Sequence, residues 1–568
     1  MENYKKSISV IENIRSGINT EELKATYLGT DKRIDAYYNI IDLYIRLYQI
    51  NQDKTYEAEA FDFLEKAKAR SFLDSIEVSK LNLSAGIDQR LLNKETELMN
   101  DISRTHTKLL APQLSPEQRE SITAELSSYE NDLDSLKREI REASPGYANL
   151  NYPSTVTLAE AQKDLIDEGT ICFAYLLGKE NSYAFAVSKD NLKIFSLPKK
   201  EDLQKLVQEH LRSITDPASQ TFTAAYKLYE LLVRPGLIEN AKKIIVVPDD
   251  VLYLFPFETL MTQPDGREWL IKEYNIAYIP SVSSLRELLD RSRSGRPWKP
   301  RKDILAIGDP DYGANGIDGP ANAASASGQN ASPAYESQFQ RLKFSGQEVR
   351  EIAGLFKHQR SEILLRDQAT EERFKRENLS DYRILHFATH AVIDDKKPAR
   401  SAIVLNLDQD PTEDGFIQMR EVFNLKLRAD LVVLSACETG LGRLLRGEGI
   451  EGLNRAFFYA GASSVLLSLW AINDQASSQL LERFYIHLRS SNSIMSALRK
   501  AKMEMIDSGV LDHPYYWAGF VITGEADKVI FPRDLRRWII ATLSIAAGLA
   551  ILLLFVNRDR TLPLMAKS

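Results

Sequence analysis

Apolar side chains in the first eighty residues recur at steps of three and four positions. This spacing is typical of one buried face of an α-helix. The first such face comprises Ile34, Tyr38, Ile41, Ile45 and Tyr48. After the polar turn at 51–54, a second face comprises Ala60, Leu64 and Ala67. The pattern predicts two consecutive helices within residues 1–80.

These two helices resemble a tetratricopeptide (TPR) unit, in which small and aromatic residues occupy such positions. A single unit cannot bury both of its faces, and about three repeats are normally needed for a stable array. A plain helical hairpin therefore fits the same pattern equally well.

Residues 81–150 carry a heptad pattern of two apolar stripes. The first comprises Leu91, Leu98, Ile102 and Leu109, and the second comprises Ile122, Leu126, Tyr129, Leu133, Leu136 and Ile140. Between them, Ser115, Pro116 and Gln118 form a capping box with proline at the first helical position. The pattern predicts an antiparallel helical hairpin, whose stripes indicate packing and not a ligand site.

From about residue 155 the pattern changes to short apolar runs bounded by turn residues, alternating with helical segments up to residue 524. Such alternation favours an α/β fold with a doubly wound, mostly parallel sheet.

Residues 538–556 form an uncharged apolar run of 19 residues near the C-terminus. A helix of that length just spans the hydrocarbon core of a bilayer, about 30 Å thick. Arginines flank both ends. We therefore expect one transmembrane helix, with a buried core helix as the alternative.

The composition of the chain argues against several classes of protein. Of the 568 residues, 44% are hydrophobic and 27% are charged, and the net charge of −7 predicts no nucleic-acid partner. The two cysteines, Cys172 and Cys437, are too few for a disulfide framework, and no C-x-x-C motif is present. The N-terminus has no apolar run of the kind found in signal peptides. These features place the main body in the cytoplasm.

Three predicted strands each lead into a residue with a reactive or titratable side chain. His390 ends the first, Cys437 follows the second by a short turn, and Asp474 follows the third. Because parallel strands present their carboxyl ends at one edge of a sheet, these residues can meet there. A nearby imidazole activates a cysteine thiol as a nucleophile and later protonates the leaving amine. The pattern predicts a cysteine–histidine dyad of Cys437 and His390.

Other interpretations of these residues are weaker. Most unpaired cysteines are small core residues, but a glycine-rich polar loop follows Cys437, and a histidine ends the neighbouring strand. His386 and His390 have zinc-like spacing, yet they lie in a predicted strand without an H-E-x-x-H motif. The glycines after Cys437 match no phosphate-binding motif. We therefore expect neither a metal nor another cofactor.

Several motifs of residues 155–524 resemble the CHAT family of caspase- and separase-like cysteine peptidases, which are often fused to TPR repeats. They are VVPDDVLYLFPFETL, HFATH, LSACETG, GEGIEGLNRAFFYAGASSVLLSLWAINDQAS and HPYYWAGFVITG, in family order. The resemblance implies a caspase-like sheet and a dyad of His390 and Cys437. It further implies an oxyanion hole formed by the backbone N–H groups of Ala391 and Cys437.

Two residues bear on activity and specificity. The family usually has glycine where this chain has Ala391, and alanine resists positive φ, which puts full activity in doubt. The segment SLWAIND resembles the separase segment whose aspartate lines the substrate pocket. This implies that Asp474 binds a basic substrate residue, although aspartate at this position equally suits a helix N-cap.

The sequence thus predicts a membrane-tethered cysteine endopeptidase that cleaves a protein substrate and stays latent until a protein partner engages the N-terminal helices. It is expected at the cell membrane, single-pass by the helix over 538–556. The alternative is a catalytically weak scaffold that uses the same fold for interactions.

Overall fold

The computed structural model of the chain describes residues 1–16, 27, 31–68, 70–79, 88–109, 114–143, 155–294, 300–312, 339–407, 413–435 and 442–532. Within these ranges, an N-terminal helical region packs against a mixed α/β unit.

The described part of the N-terminal region contains six helices. They are α1 (Glu2–Ser16), α2 (Asp31–Asn51), α3 (Lys54–Ala67), α4 (Arg70–Ser79), α5 (Gln89–Leu109) and α6 (Pro116–Ala143). The predicted apolar face of α2 is buried, with Ile34 and Ile41 fully inaccessible. The Asp53 side chain caps α3 by accepting a hydrogen bond from the backbone N–H of Thr55.

Helices α5 and α6 pack along the two predicted stripes, which meet in one apolar cluster. Ser115 and Gln118 exchange the two hydrogen bonds of a capping box at the start of α6, with the Gln118 N–H donating to Ser115 Oγ at 3.2 Å. The described residues thus form two packed helices at these positions.

The remaining helices belong to the α/β unit. They are α7 (Leu158–Glu160), α8 (Lys200–Thr215), α9 (Thr223–Leu232), α10 (Val282–Ser294), α11 (Ser345–Gly354), α12 (Glu371–Arg376), α13 (Met419–Val422), α14 (Leu453–Ala460), α15 (Asp474–Arg489), α16 (Ile494–Asp507) and α17 (Pro514–Trp517).

Eleven strands form one large sheet, in the order β3-β2-β1-β4-β5-β16-β15-β12-β8-β6-β7. They are β1 (Thr170–Leu177), β2 (Ser182–Val187), β3 (Leu192–Leu197), β4 (Lys243–Val247), β5 (Asn275–Tyr278), β6 (Lys302–Pro310), β7 (Ser361–Arg366), β8 (Tyr382–Ala388), β12 (Leu431–Leu434), β15 (Ser464–Ser468) and β16 (Phe520–Gly524). The central strands are buried on both faces, which explains their unbroken apolar runs.

The sheet contains two sets of parallel strands that run in opposite directions, and β2 and β3 extend the first set antiparallel beyond β1. Strands β1, β4, β5 and β16 form the first set, and β15, β12, β8, β6 and β7 form the other. The two sets join where β15 pairs antiparallel with β16. The expected doubly wound sheet is thus a mixed sheet. Strands β8, β12 and β15 nevertheless end on the same edge.

Two small sheets complete the strands. One has the order β11-β10-β9 and consists of β9 (His390–Val392), β10 (Ala402–Val404) and β11 (Phe416–Gln418). The other is a hairpin of β13 (Arg443–Leu445) and β14 (Gly449–Glu451). The first strand of the three-stranded sheet, β9, begins at His390.

The expectation of a transmembrane helix, and with it of a single-pass membrane location, is wrong. No helix in the described residues is both long enough and apolar enough to cross a bilayer. The segment 538–556 on which the expectation rested lies outside the described residues. That expectation rested on the length of the segment, its uninterrupted apolar composition and its flanking arginines.

Candidate functional site

The His390 side chain lies at the end of the large sheet, where the chain leaves β8 and enters β9. Its ring is partly buried between Tyr312 and Phe339, with centroid separations of 5.2 and 5.4 Å. Its Nε2 lies 2.6 Å from the backbone carbonyl oxygen of Gln340. The Tyr312 hydroxyl accepts a hydrogen bond from the His390 backbone N–H at 3.3 Å.

The Gln340 carbonyl determines the tautomer of His390. A carbonyl oxygen only accepts hydrogen bonds, so Nε2 carries the proton and Nδ1 holds the lone pair in the neutral ring. Burial lowers the pKa of His390, although the Gln340 carbonyl acts in the opposite direction. The ring is therefore neutral at physiological pH and presents Nδ1 as a base.

Cys437 lies outside the described residues, as does the rest of 436–441. The strand that leads to it is described. Each residue of β12 pairs with the residue of β8 that lies 47 positions earlier, for example Leu434 with Phe387. The Ser435 N–H continues this pairing by donating to the Phe387 carbonyl oxygen at 2.8 Å. His390 and Cys437 are separated by the same 47 positions in the sequence.

Ala391 lies in β9 in extended backbone, paired with Ile403 of β10. It is not among the residues with positive φ. Alanine adopts this conformation without strain, so the side chain imposes none of the backbone penalty that the sequence raised as a concern.

Asp474 is the first residue of α15, and it does not cap the helix. Asn473 is the N-cap, since its side chain accepts a hydrogen bond from the Ala476 N–H at 3.1 Å. Asp474 Oδ2 instead accepts a hydrogen bond from the backbone N–H of Phe344 at 2.8 Å. No cation pairs with Asp474 within the part of the chain that the structure describes.

Two further acids lie near Asp474, and each already has a cationic or hydrogen-bonding partner. Asp309 binds Arg341 through two hydrogen bonds of 2.8 Å. Glu348 lies 2.9 Å from His386 Nε2, and both side chains are buried. Burial, together with the negative charges of Glu348 and Asp309, raises the pKa of Asp474 to about 6. The hydrogen bond from Phe344 acts in the opposite direction.

A short segment, residues 340–345, connects these groups. Its Gln340 carbonyl holds the His390 ring, and its Phe344 N–H holds Asp474. Four residues of chain span at most about 14 Å, so the base and the free acid lie on the same edge of the sheet. Sequence reasoning missed this segment because its contacts use backbone groups, which any residue type supplies.

One cluster of acids has the geometry of a metal site but holds a cation of its own. Carboxylate oxygens of Glu371, Glu413 and Glu421 lie within 4.8 Å of one another. Lys375 Nζ lies among them, at 2.7 to 2.8 Å from each carboxylate. The ammonium group thus occupies the position that a metal ion would take.

Comparison with known proteins gives a family match over more than half of the chain. Residues 223–525 match the CHAT domain. Tetratricopeptide repeat protein 28 of Homo sapiens is 27% identical over 355 residues, covering 54% of this chain and 13% of that protein. The protein of the same name from Mus musculus is 25% identical over 359 residues, with the same coverage. This chain therefore spans only a small part of the length of these curated relatives.

Solved structures are similar at low sequence identity. The separase–securin complex of Saccharomyces cerevisiae at 3.0 Å aligns with a TM-score of 0.40 and 10% identity, covering 91% of this chain and 48% of that chain. Gingipain R, described as an Arg-specific cysteine proteinase, aligns with a TM-score of 0.33 and 10% identity, covering 58% and 75%. The family resemblance drawn from the sequence motifs is confirmed by the family match.

Proposed function

We propose, on the premise that this chain belongs to the CHAT domain family, that it is a cysteine endopeptidase whose base is His390 and whose nucleophile is Cys437. The orientation of His390 carries this proposal. Its ring is neutral, presents Nδ1 as a base, and lies at the edge where β12 leads into the Cys437 loop. The shared offset of 47 positions between β8 and β12 and between His390 and Cys437 supports the pairing of the two residues.

In the proposed reaction, Nδ1 of His390 takes the proton of the Cys437 thiol, and the thiolate attacks the carbonyl carbon of a peptide bond. The Gln340 carbonyl stabilises the resulting imidazolium through Nε2–H. The backbone N–H groups of Ala391 and Cys437 would stabilise the oxyanion. Nδ1–H then protonates the leaving amine, and water hydrolyses the thioester and regenerates the thiol.

Asp474 is the proposed contact for a basic substrate residue. Among the acids near His390, Asp309 and Glu348 already have partners, whereas Asp474 has no cationic partner within the described residues. A partly buried carboxylate of this kind favours arginine, which can bind it through two hydrogen bonds. We therefore propose cleavage after arginine or lysine.

Control by a protein partner at the N-terminal helices is the last part of the proposal. The β13–β14 hairpin follows the Cys437 loop directly and contacts α2 and α4. The Ser71 N–H donates to the buried Glu448 carboxylate at 3.1 Å, and Arg446 pairs with Asp35 at 3.0 Å. A partner that moves these helices would act on a segment adjacent to the nucleophile.

Single substitutions of the dyad test the proposal. Cys437→Ala and His390→Ala should each abolish cleavage of a substrate identified from new N-termini in cell extracts, without unfolding the chain. Cys172→Ala is the matched control and should retain cleavage. If Cys437→Ala produces the same termini as the wild type, the chain is no peptidase, and the scaffold interpretation replaces this proposal.

A further inference from the structure

The Glu130 side chain of α6 is buried against the α/β unit, with 8% of its surface exposed. Its carboxylate accepts two hydrogen bonds from Arg400, each of 2.7 Å, and one from Arg420 of 2.6 Å. Lys397 adds a longer contact at 3.2 Å. Hydrogen bonds from charged donors to a buried carboxylate are among the strong and directional ones in proteins.

The two arginines flank the small sheet that begins with His390. Arg400 lies two residues before β10, and Arg420 lies two residues after β11. Strand β10 pairs antiparallel with β9, in the register Val404 with His390. The carboxylate of Glu130 therefore ties together the adjacent ends of β10, which pairs with β9, and β11, which pairs with β10.

A second contact joins the same helical hairpin to the same sheet. His106 of α5 lies 2.7 Å from Asp414, just before β11, and both side chains are buried. The His106 ring packs edge-on against Phe416 at 4.9 Å. Phe416 contacts Phe339 at 6.1 Å, and Phe339 packs on His390 at 5.4 Å. Successive ring contacts thus connect the helical hairpin to the proposed base.

We propose that the α5–α6 helical hairpin holds His390 in register for the reaction, and that Glu130 is the positioning residue through which it does so. This inference rests on the proposed function, because it assigns part of its regulation. A protein that displaces α6 from Arg400 and Arg420 would release the sheet carrying His390 and lower activity, whereas the control proposed above acts through α2 and α4.

The electrostatics agree with this role. Against the effect of burial, hydrogen bonds from Arg400 and the charges of Arg420 and Arg400 lower the pKa of Glu130 to about 2. The carboxylate is ionised at every physiological pH. Removing its charge leaves two buried guanidinium groups without this counter-ion, and an uncompensated buried charge strongly destabilises the contact to which it belongs.

Thiol alkylation provides the test, because a neutral imidazole beside the thiol takes its proton and lets it react below the usual thiol pKa of about 8.5. The rate of Cys437 modification by iodoacetamide is followed by mass spectrometry from pH 5 to 9 in the full chain. Glu130→Gln should take on the profile of His390→Ala, losing about tenfold in rate at pH 6 for each unit by which the thiol pKa rises. Glu130→Asp, which keeps the charge, should restore part of that rate.

Glu65→Gln is the matched control. Glu65 is an equally buried glutamate of the N-terminal helices, but its carboxylate binds Ser283 at the start of α10. Its loss should lower stability and leave the alkylation profile unchanged. If Glu130→Gln does not fold, Arg420→Gln, which removes one donor to Glu130, is the deciding variant, and a wild-type profile for it overturns the inference.

Hydrogen exchange separates this inference from the proposed function. In Glu130→Gln, the amides of β9 and β10 should exchange faster than in Glu65→Gln, whether or not the chain cleaves peptides. If the wild type and His390→Ala have the same alkylation profile, the proposed function is refuted, but the role of the α5–α6 hairpin is not. Unchanged exchange in β9 together with an unchanged alkylation profile in Glu130→Gln would overturn the role of the hairpin.

Discussion

Protonation of Asp474 should weaken the preference for a basic substrate residue at a pH where the dyad still works. Burial, together with the charges of Glu348 and Asp309, raises the pKa of Asp474 to about 6 against the Phe344 hydrogen bond. The carboxylate is ionised above this pH and neutral below it. Between pH 7.5 and pH 5, its ionised fraction falls roughly tenfold, as expected for a single group with this pKa.

The assay compares two peptides that differ only at the residue before the scissile bond, one with arginine and one with glutamine. The ratio of their kcat/KM values cancels the titration of Cys437 and His390, because both peptides use the same dyad. We expect this ratio to fall about tenfold from pH 7.5 to pH 5. Asp474→Asn should lower it at pH 7.5 by about 30- to 5000-fold, from about 2–5 kcal/mol for a buried charge pair.

The Asp474→Asn variant serves as the control for the pH dependence. In Asp474→Asn the ratio should be independent of pH, and cleavage of the glutamine peptide should stay close to that of the wild type. A basic preference that survives in this variant would refute the reasoning. So would a wild-type ratio that is constant from pH 5 to pH 7.5, because Asp474 would then not contact the substrate.

Three further results are expected. Cys172 should resist iodoacetamide in the native chain and react in urea, because it is buried in β1 and burial raises its pKa; mass spectrometry of the labelled peptides checks this. Acidification from pH 5 to pH 2 should cost the wild type about 3 kcal/mol through protonation of Glu130, whose stabilising charge is present above its unfolded pKa and is lost as the pH falls towards 2. Urea titrations should show this loss in the wild type and not in Glu130→Gln. Gly447→Ala should lower the free energy of unfolding by about 1–3 kcal/mol in a urea titration. The φ angle of Gly447 is +73°, and the new Cβ would lie 2.6 Å from the Ala67 carbonyl oxygen. An unchanged midpoint would refute the contact between α3 and the β13–β14 hairpin.

Local patterns in the sequence determined the elements from which the site is built. The leucine stripes of α5 and α6 predicted their packing, because helical spacing places such residues on one face. The apolar runs of β8, β12 and β15 predicted buried strands ending on one edge, and so placed His390 there. These features were readable because each depends on residues close together in the chain.

The transmembrane prediction shows where composition alone is insufficient. An apolar run of the right length is compatible with a bilayer and with a protein core, and the choice between them depends on what surrounds it. The antiparallel pairing of β15 with β16 could not be predicted from the sequence either. A strand's apolar pattern does not encode the direction of its neighbour.

Only the tertiary structure decided how the site residues are held. Aspartate at the start of a helix suits a cap by its chemistry, and it took the contact of Asn473 with Ala476 to exclude that role for Asp474. The Gln340 carbonyl orients His390, but every residue has a carbonyl, so no sequence signal marks it. Glu130 meets Arg400 across 270 residues of chain, and charges that far apart pair only when folding brings their elements together.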